Sequence, residues 1–270
     1  MTSPKRKRTS IPTAAITGLT IFGLAIYLFV AQIFGLVPFR APAPAACPST
    51  AANYQIFVDP TGSNQHTDNW KTEAHALAQT LGPCDRATFY AVGSNTAAGA
   101  AIGTPLVLPI PDANASGGER LRVVHQIAAL RAETEQRIER MMTQPGSARS
   151  DIIGIFSKLT AAPGMRNILV VFSDGQESAG PLNLEDGHQC VGRDNVQALV
   201  SLALPRMPFE SAVGRFDSVK WIIPAQSGRL GCNSRELALF WRAVIARLSG
   251  TGKPPALTFE TNIFSLGGQS

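Results

Sequence analysis

The chain has 270 residues, 44% of them hydrophobic and 16% charged, enough for one membrane segment and one domain of ordinary size. A formal net charge of +5 and a pI of about 9.3 suggest a nucleic-acid partner until the source of the charge is located. Lys5, Arg6, Lys7 and Arg8 supply four of the five net charges, so what remains is about +1 and lacks the basic face of a duplex-binding domain.

Residues 1–10 form a basic tail, and residues 11–39, "IPTAAITGLTIFGLAIYLFVAQIFGLVPF", contain no charge. That stretch is longer than the roughly 20 residues that cross a bilayer core, and longer than the apolar region of a cleaved signal. It reads as a retained membrane anchor. The competing readings are a cleaved signal, or a nuclear-targeting cluster before a buried helix. Four cations precede the anchor and Arg40 follows it, so the positive-inside rule keeps the N-terminus cytoplasmic. Residues 40–270 are then periplasmic or extracellular. "PAAC" is faintly similar to the box before a lipidated cysteine, but Pro38, Pro42 and Pro44 separate Cys47 from the apolar core and argue against lipidation. Residues 40–52, "RAPAPAACPSTAA", are a Pro/Ala-rich, semi-rigid linker. Residues 53–270 form the domain.

Within the domain, strands and helices alternate. Tyr54–Val58 reads as a strand, Trp70–Leu81 as a helix and Ala87–Val92 as a strand. "TPLVLPIP" is a short extended stretch whose prolines suit a sheet edge. "SGGERLRVVHQIAALRAETEQRIERMM" has Ser116 and Glu119 in a capping-box pattern. Its Leu121, Val124, Ile127, Leu130, Ile138 and Met141 recur at helical spacing and predict a core face. "RAETEQRIER" predicts a solvated face. Ser150–Leu159 reads as a further helix. "NILVVF", residues 167–172, is a strand buried on both faces. "DNVQALVSLAL" is a helix, "SVKWIIP" a strand, "SRELALFWRAVIARL" a helix and "ALTFETNIF" a last strand. The expected fold is a three-layer, Rossmann-like α/β sandwich around a mostly parallel sheet of about six strands. The continuously apolar runs 54–58, 167–172 and 218–223 should be adjacent central strands. Trp70, Trp221 and Trp241 are expected in the core or at its edge.

Sites in such sheets form at the carboxyl ends of the strands. Asp59 directly follows one buried strand, with Thr61 and Ser63 at alternate positions. Ser150 and Asp151 stand in "SARSDI". Ser173, Asp174 and Glu177 stand in "VVFSDGQES" after another buried strand. Hydroxyls and carboxylates gathered from neighbouring strands suit a hard divalent cation.

The ordered set resembles the von Willebrand factor A domain family and its metal-ion-dependent adhesion site. That family's pattern is Asp-x-Ser/Thr-x-Ser after the first strand, a Thr or Ser in the middle, and an Asp after a later strand, often within "(S/T)DG". Asp59, Thr61 and Ser63 match the first part, Ser150 of "SDI" the second and Asp174 of "SDG" the third. The similarity runs from residue 53 to about 264. Pro60 and Thr61 depart from the commoner residues, Ser150 replaces the usual Thr, and neighbouring Asp151 is an alternative ligand. The resemblance implies a binding module rather than an enzyme. It would hold Mg²⁺ (or Mn²⁺ or Ca²⁺) on Asp59, Thr61, Ser63, Ser150 and Asp174, with an open position for a carboxylate of a partner protein. Thr61 and Ser63 would be direct ligands, and Asp59 and Asp174 would balance the charge. Asp59 is expected on a solvent-facing loop, so that Asp59→Ala abolishes metal-dependent binding and spares the fold.

Other readings remain open. "DPTGS" is similar to the "DKTGT" of haloacid dehalogenase-like phosphohydrolases, with Asp59 as nucleophile. The second acid, Glu177, then stands one position early, and the only nearby cation, Lys158, lies in an expected helix. A third reading keeps the fold without the metal. An aspartic protease would need Asp-Thr-Gly twice, and no G-x-S-x-G elbow or Gly-rich phosphate loop is present. His66, His75, His125 and His188 lack metal-ligand spacing, although His66 and His188 fall on the expected site face.

Four cysteines on an oxidising side should pair, and sequence permits three connectivities. Cys47 and Cys84 each precede a strand, and Cys190 and Cys232 each follow one. In a parallel sheet this places one pair at each end, predicting Cys47–Cys84 and Cys190–Cys232.

Overall fold

The computed structural model describes residues 26–27, 47–60, 69–112, 114–184, 189–190, 194–223, 232, 234–250 and 253–260. The chain divides into two units, Met1–Pro44 and Ala45–Ser270. In the first, Ile26 and Tyr27 are helical, and the rest of the predicted anchor lies outside the described residues. Among the described residues no helix is long and apolar enough to cross a membrane.

The second unit is built on six strands: β1 (Ala52–Val58), β2 (Arg86–Ala91), β3 (Leu106–Val107), β4 (Arg166–Phe172), β5 (Ser218–Ile222) and β6 (Ala256–Glu260). Their order in the sheet is β3-β2-β1-β4-β5-β6. All neighbours are parallel except β2 and β3, where Leu106 and Val107 form the short antiparallel edge expected from their flanking prolines. The three most apolar runs are therefore adjacent, as predicted. Their residues alternate between two cores. Ile168, Val170 and Phe172 of β4 face one side, and Leu169 and Val171 face the other. A strand covered on both faces has no polar side to show, which is why β4 reads as an unbroken apolar run.

Among the described residues, four helices cover the faces: α1 (Asn69–Thr80), α2 (Gly117–Thr143), α3 (Val196–Ala203) and α4 (Ser234–Leu248). Trp70, Ala74 and Leu77 of α1 and Ile138 and Met141 of α2 share a core with Ile56, Val58 and Phe172. On the other face, α4 presents Leu237, Phe240, Trp241, Val244 and Ile245 to Phe57, Leu169 and Val171. That i, i+3, i+4, i+7, i+8 spacing makes one apolar stripe. The Trp241 ring packs 4.8 Å from that of Trp221, and all three tryptophans are buried.

Two sequence expectations need correction. Ser150–Leu159 is not an α-helix, because only Ile153–Ser157 forms a short 3₁₀ turn. The Ile155 N–H bonds Ile152 O at 3.1 Å and the Lys158 N–H bonds Ile155 O at 2.9 Å, both three residues back, and the Thr160 N–H leaves for the Gln55 side chain at 3.2 Å, so the turn stays 3₁₀ and ends there. The predicted core face of α2 also fails at its start. Leu121 and Val124 are 58% and 59% exposed, while Val123, Thr134, Ile138 and Met141 are buried. At 1.5 Å per residue α2 is about 40 Å long against about 18 Å for α1, so its first turns outrun the helix beside it. Arg131 marks that limit, with its guanidinium donating to Leu81 O just beyond the end of α1. The capping residue itself is as expected: the Ser116 hydroxyl accepts the Glu119 N–H at 3.2 Å.

Both predicted disulfides form, Cys47–Cys84 with a Cα separation of 5.7 Å and Cys190–Cys232 with 4.9 Å.

Candidate metal centre

The carboxyl ends of β1 and β4 are held side by side by the sheet. Val58 pairs with Phe172, and the Asp59 N–H continues the ladder by donating to Phe172 O at 2.9 Å. Asp59 and Ser173 thus leave adjacent strands at the same level. The Ser173 hydroxyl donates to Asp59 Oδ2 at 2.8 Å, and the Ser150 hydroxyl donates to Asp59 Oδ1 at 3.2 Å. Three predicted segments therefore converge on one carboxylate. Asp59, Ser150, Ser173 and Asp174 are all buried, with Asp59 at 0% exposure. This corrects the expectation that Asp59 sits on a solvent-facing loop: the carboxylate lies at the end of an internal strand.

The loop after β4 is fixed from beneath. Gly175 takes a positive φ of 79°, and a Cβ there would stand 3.3 Å from Trp241 Nε1 and 3.4 Å from Trp221 Nε1. The two indoles bond this loop, Trp221 donating to Ser173 O at 3.0 Å and Trp241 to Gly175 O at 2.9 Å. The sequence reading places both tryptophans in the core but not in this supporting role. Asp174 Oδ1 accepts the Gln176 N–H at 3.0 Å, and Gly175 N–H bonds the Ser173 hydroxyl at 3.0 Å. Ser178 ties this loop to the middle segment, accepting the Ser150 N–H on its hydroxyl at 2.9 Å and donating its own N–H to Ser150 O at 3.1 Å.

Beside this junction lies a buried ion triad. Arg206 donates to Glu177 Oε1 at 2.6 Å, to Asp151 Oδ1 and to Ala179 O. Asp151 also accepts the N–H groups of Thr96 at 2.8 Å and Gly154 at 2.9 Å. Glu177 accepts those of Ile153 at 2.8 Å and Ala179 at 3.1 Å. Burial pushes the Glu177 carboxyl up to about 7, against the lowering effect of the Ile153 amide and Arg206, while the Asp151 charge pushes it the same way as burial. Two carboxylates share one guanidinium, so one proton relieves the excess charge. Asp151, weighed from sequence as an alternative ligand, has both oxygens engaged in the triad and its loop amides.

Thr61, Ser63, His66 and His188 lie outside the described residues. His125 is exposed on α2. Among the predicted ligands the structure joins Asp59 to Ser150 and places Asp174 next to Ser173, which bonds Asp59. Ser173 is a partner the sequence reading quoted within "VVFSDGQES" without assigning it to the ligand set. Arg206 is missed entirely, because nothing in "ALPRMPF" marks a distant salt-bridge partner.

The donor set suits a hard divalent cation. A hydroxyl that gives its proton to a carboxylate can still offer a lone pair to an ion, and Ser173 keeps one even while it accepts the Gly175 N–H. All the oxygens here are of the hard type preferred by Mg²⁺ and Mn²⁺.

No protein-family model and no curated protein matches the chain. Similar solved structures include a von Willebrand factor type A protein from Catenulispora acidiphila, at 12% identity and a TM-score of 0.38 over 80% of this chain and 40% of that one. The chain thus spans less than half of that relative's length. The manganese-loaded TRAP protein of Plasmodium vivax is similar at 12% identity and a TM-score of 0.38, over 84% of this chain and 74% of the other. An aerotolerance-related membrane protein from Bacteroides fragilis is similar at 12% identity and a TM-score of 0.35, over 80% and 94%.

Proposed function

We propose that the chain is a membrane-anchored binding module of the von Willebrand factor A type. In this reading it uses a divalent cation to engage an acidic group on a partner protein. The observation that supports it most is the junction itself. One buried carboxylate, Asp59, takes hydroxyl hydrogen bonds from Ser150 and Ser173 at the carboxyl end of two adjacent parallel strands. Hydroxyls orient a carboxylate without cancelling its charge. Asp59, Ser150 and Asp174 would hold the cation, with Thr61 and Ser63 completing the set from the following segment. The bound cation supplies an electrophilic position for an external carboxylate. The protein's own part is to fix the oxygens, and the two indole N–H groups do so by pinning Ser173 and Gly175. Residues 11–39 would anchor the module, with the N-terminus in the cytoplasm and residues 40–270 across the membrane.

The test is titration of the full chain with Mn²⁺, followed by magnetic resonance and calorimetry. One ion per chain is expected, with Mg²⁺ competing. Asp59→Ala should weaken binding at least 100-fold. EDTA should release protein partners captured from membranes. No binding of Mn²⁺, Mg²⁺ or Ca²⁺ would instead identify a metal-free scaffold, in which the Asp59 junction serves only to join three loops.

A further inference from the structure

We propose that Arg206 is the positioning residue of this site: its guanidinium clamps Asp151 and Glu177 and thereby fixes the two loops that carry Ser150 and Ser173–Asp174. The inference rests on the cation-binding reading for its functional part and on the loop geometry for the rest.

The guanidinium is used as a fork. Nη1 donates to Glu177 Oε1 and to Ala179 O, and Nη2 donates to Asp151 Oδ1. Its two carboxylate partners come from different loops, one adjacent to Ser150 and the other three residues after Asp174. A planar, permanently charged group with fixed donor directions can bridge two such acids, whereas a lysine offers a single point charge. Each acid in turn holds main chain from another segment. Glu177 accepts the Ile153 N–H across from its own loop, and Asp151 accepts the Thr96 N–H from the connection between β2 and β3. Arg206 is therefore the group through which three loops around Asp59 are cross-braced.

The surroundings are shaped to admit it. Gly180 has a φ of 77°, and a Cβ there would stand 2.8 Å from Arg206 Cδ. A Cβ on Gly154 would collide with the Asp151 carboxylate and stand 2.8 Å from Ala97 N. Both positions must lack a side chain for the clamp to close. The arginine arrives from Leu204–Arg206, a 3₁₀ turn directly after α3, and its side chain is 21% exposed against 5% and 0% for the two acids. It thus enters from the outside and closes over charges buried deeper than itself. The acceptors of its guanidinium are Asp151, Glu177 and Ala179, none of them a member of the cation set, so Arg206 acts on that set through the loops and not by contact.

The experiment uses the full chain in lipid nanodiscs, with Arg206→Met and Arg206→Lys. Amide hydrogen exchange is followed in EDTA at Thr96, Ile153, Gly154 and Ala179, and Mn²⁺ affinity is measured separately. Arg206→Met should speed exchange at these four amides at least tenfold and lower Mn²⁺ affinity at least tenfold. Arg206→Lys keeps the charge, so it should fold where the methionine variant does not, and should lower affinity by a smaller factor, about two- to fivefold. Unchanged Mn²⁺ affinity in both variants overturns the proposal while leaving the cation reading in place, as does unchanged exchange at the four amides. Failure of the unaltered chain to bind Mn²⁺ overturns the cation reading, and the claim on the ion falls with it. The exchange data then show separately whether the clamp exists.

Discussion

Two sets of buried acids sit at the same end of the sheet and are interleaved in sequence, yet they are treated in opposite ways. Asp59 is met by two hydroxyls, and Asp174 by the backbone of its own loop. Asp151, next to Ser150, and Glu177, three residues after Asp174, are met by a guanidinium and by backbone N–H groups. Hydroxyls and amides orient a carboxylate, whereas a guanidinium also cancels its charge. In the proposed reading the first set would supply negative potential to a cation. The second carries a countercharge in Arg206, with one proton on the pair relieving the remainder, and acts as a brace. Residue type does not separate the two roles, and neighbouring positions can fall on either side.

The comparison is broken most severely by removing the guanidinium. Arg206→Met strands two buried carboxylates and should cost about 3–5 kcal/mol, seen as a loss of unfolding temperature of about 10 °C. A stability unchanged within about 0.5 kcal/mol would show that the triad does not brace the loops.

Next in size is the response to pH. Glu177 is raised from 4.5 to about 7, so between these values the folded state holds a proton that the unfolded state has released. Its contribution is therefore fully present below about pH 4.5 and is lost as pH rises through about 7. Arg206 and Asp151 are the charged groups that face it. Unfolding temperature should fall between about pH 5 and about pH 8, by an amount corresponding to roughly 2–3 kcal/mol. Glu177→Gln should flatten this slope. Asp85 is also raised by burial and adds a slope of the same sign, so the measurement is the difference between variant and unaltered chain.

The smallest effect should come from the first set. Ser173→Ala removes one hydroxyl donor to Asp59 and should cost about 1–2 kcal/mol of stability in metal-free protein. If Asp59 serves a cation, the same change should weaken Mn²⁺ binding by more than tenfold, out of proportion to its effect on folding. Equal small effects on both would make the junction purely structural.

What the sequence disclosed follows from how local each signal is. The paired faces of β4, the stripe of α4 and the Ser116 cap depend on spacings within a few residues, and they are legible. The disulfides follow from strand direction alone, because parallel strands sort Cys47 and Cys84 to one end and Cys190 and Cys232 to the other. The placing of Asp59 and Asp174 directly after buried strands is legible for the same reason, whereas Ser150, expected at a helix start, stands in a loop before a 3₁₀ turn. The burial of Asp59 is not legible, because Asp-Pro-Thr-Gly-Ser reads as a turn whether it faces water or lies beneath a neighbouring loop. The helix expected over Ser150–Leu159 fails because Ile155 and Lys158 bond the carbonyls three residues back and the Thr160 N–H goes to the Gln55 side chain, 105 residues away in the chain. Arg206 escapes notice because its partners lie 55 and 29 residues back, at Asp151 and Glu177.

The bond between Cys47 and Cys84 also has a mechanical meaning. Without it, a pull on the chain ahead of Cys47 would enter the domain through β1 alone. With the cross-link in place, tension divides between the start of β1 and the turn that leads into β2. These two strands are parallel and hydrogen-bonded over six residue pairs, from Asn53–Arg86 to Val58–Ala91. Traction on a tethered domain would therefore load two neighbouring strands in the same direction, so that the hydrogen bonds between them are not the first to shear.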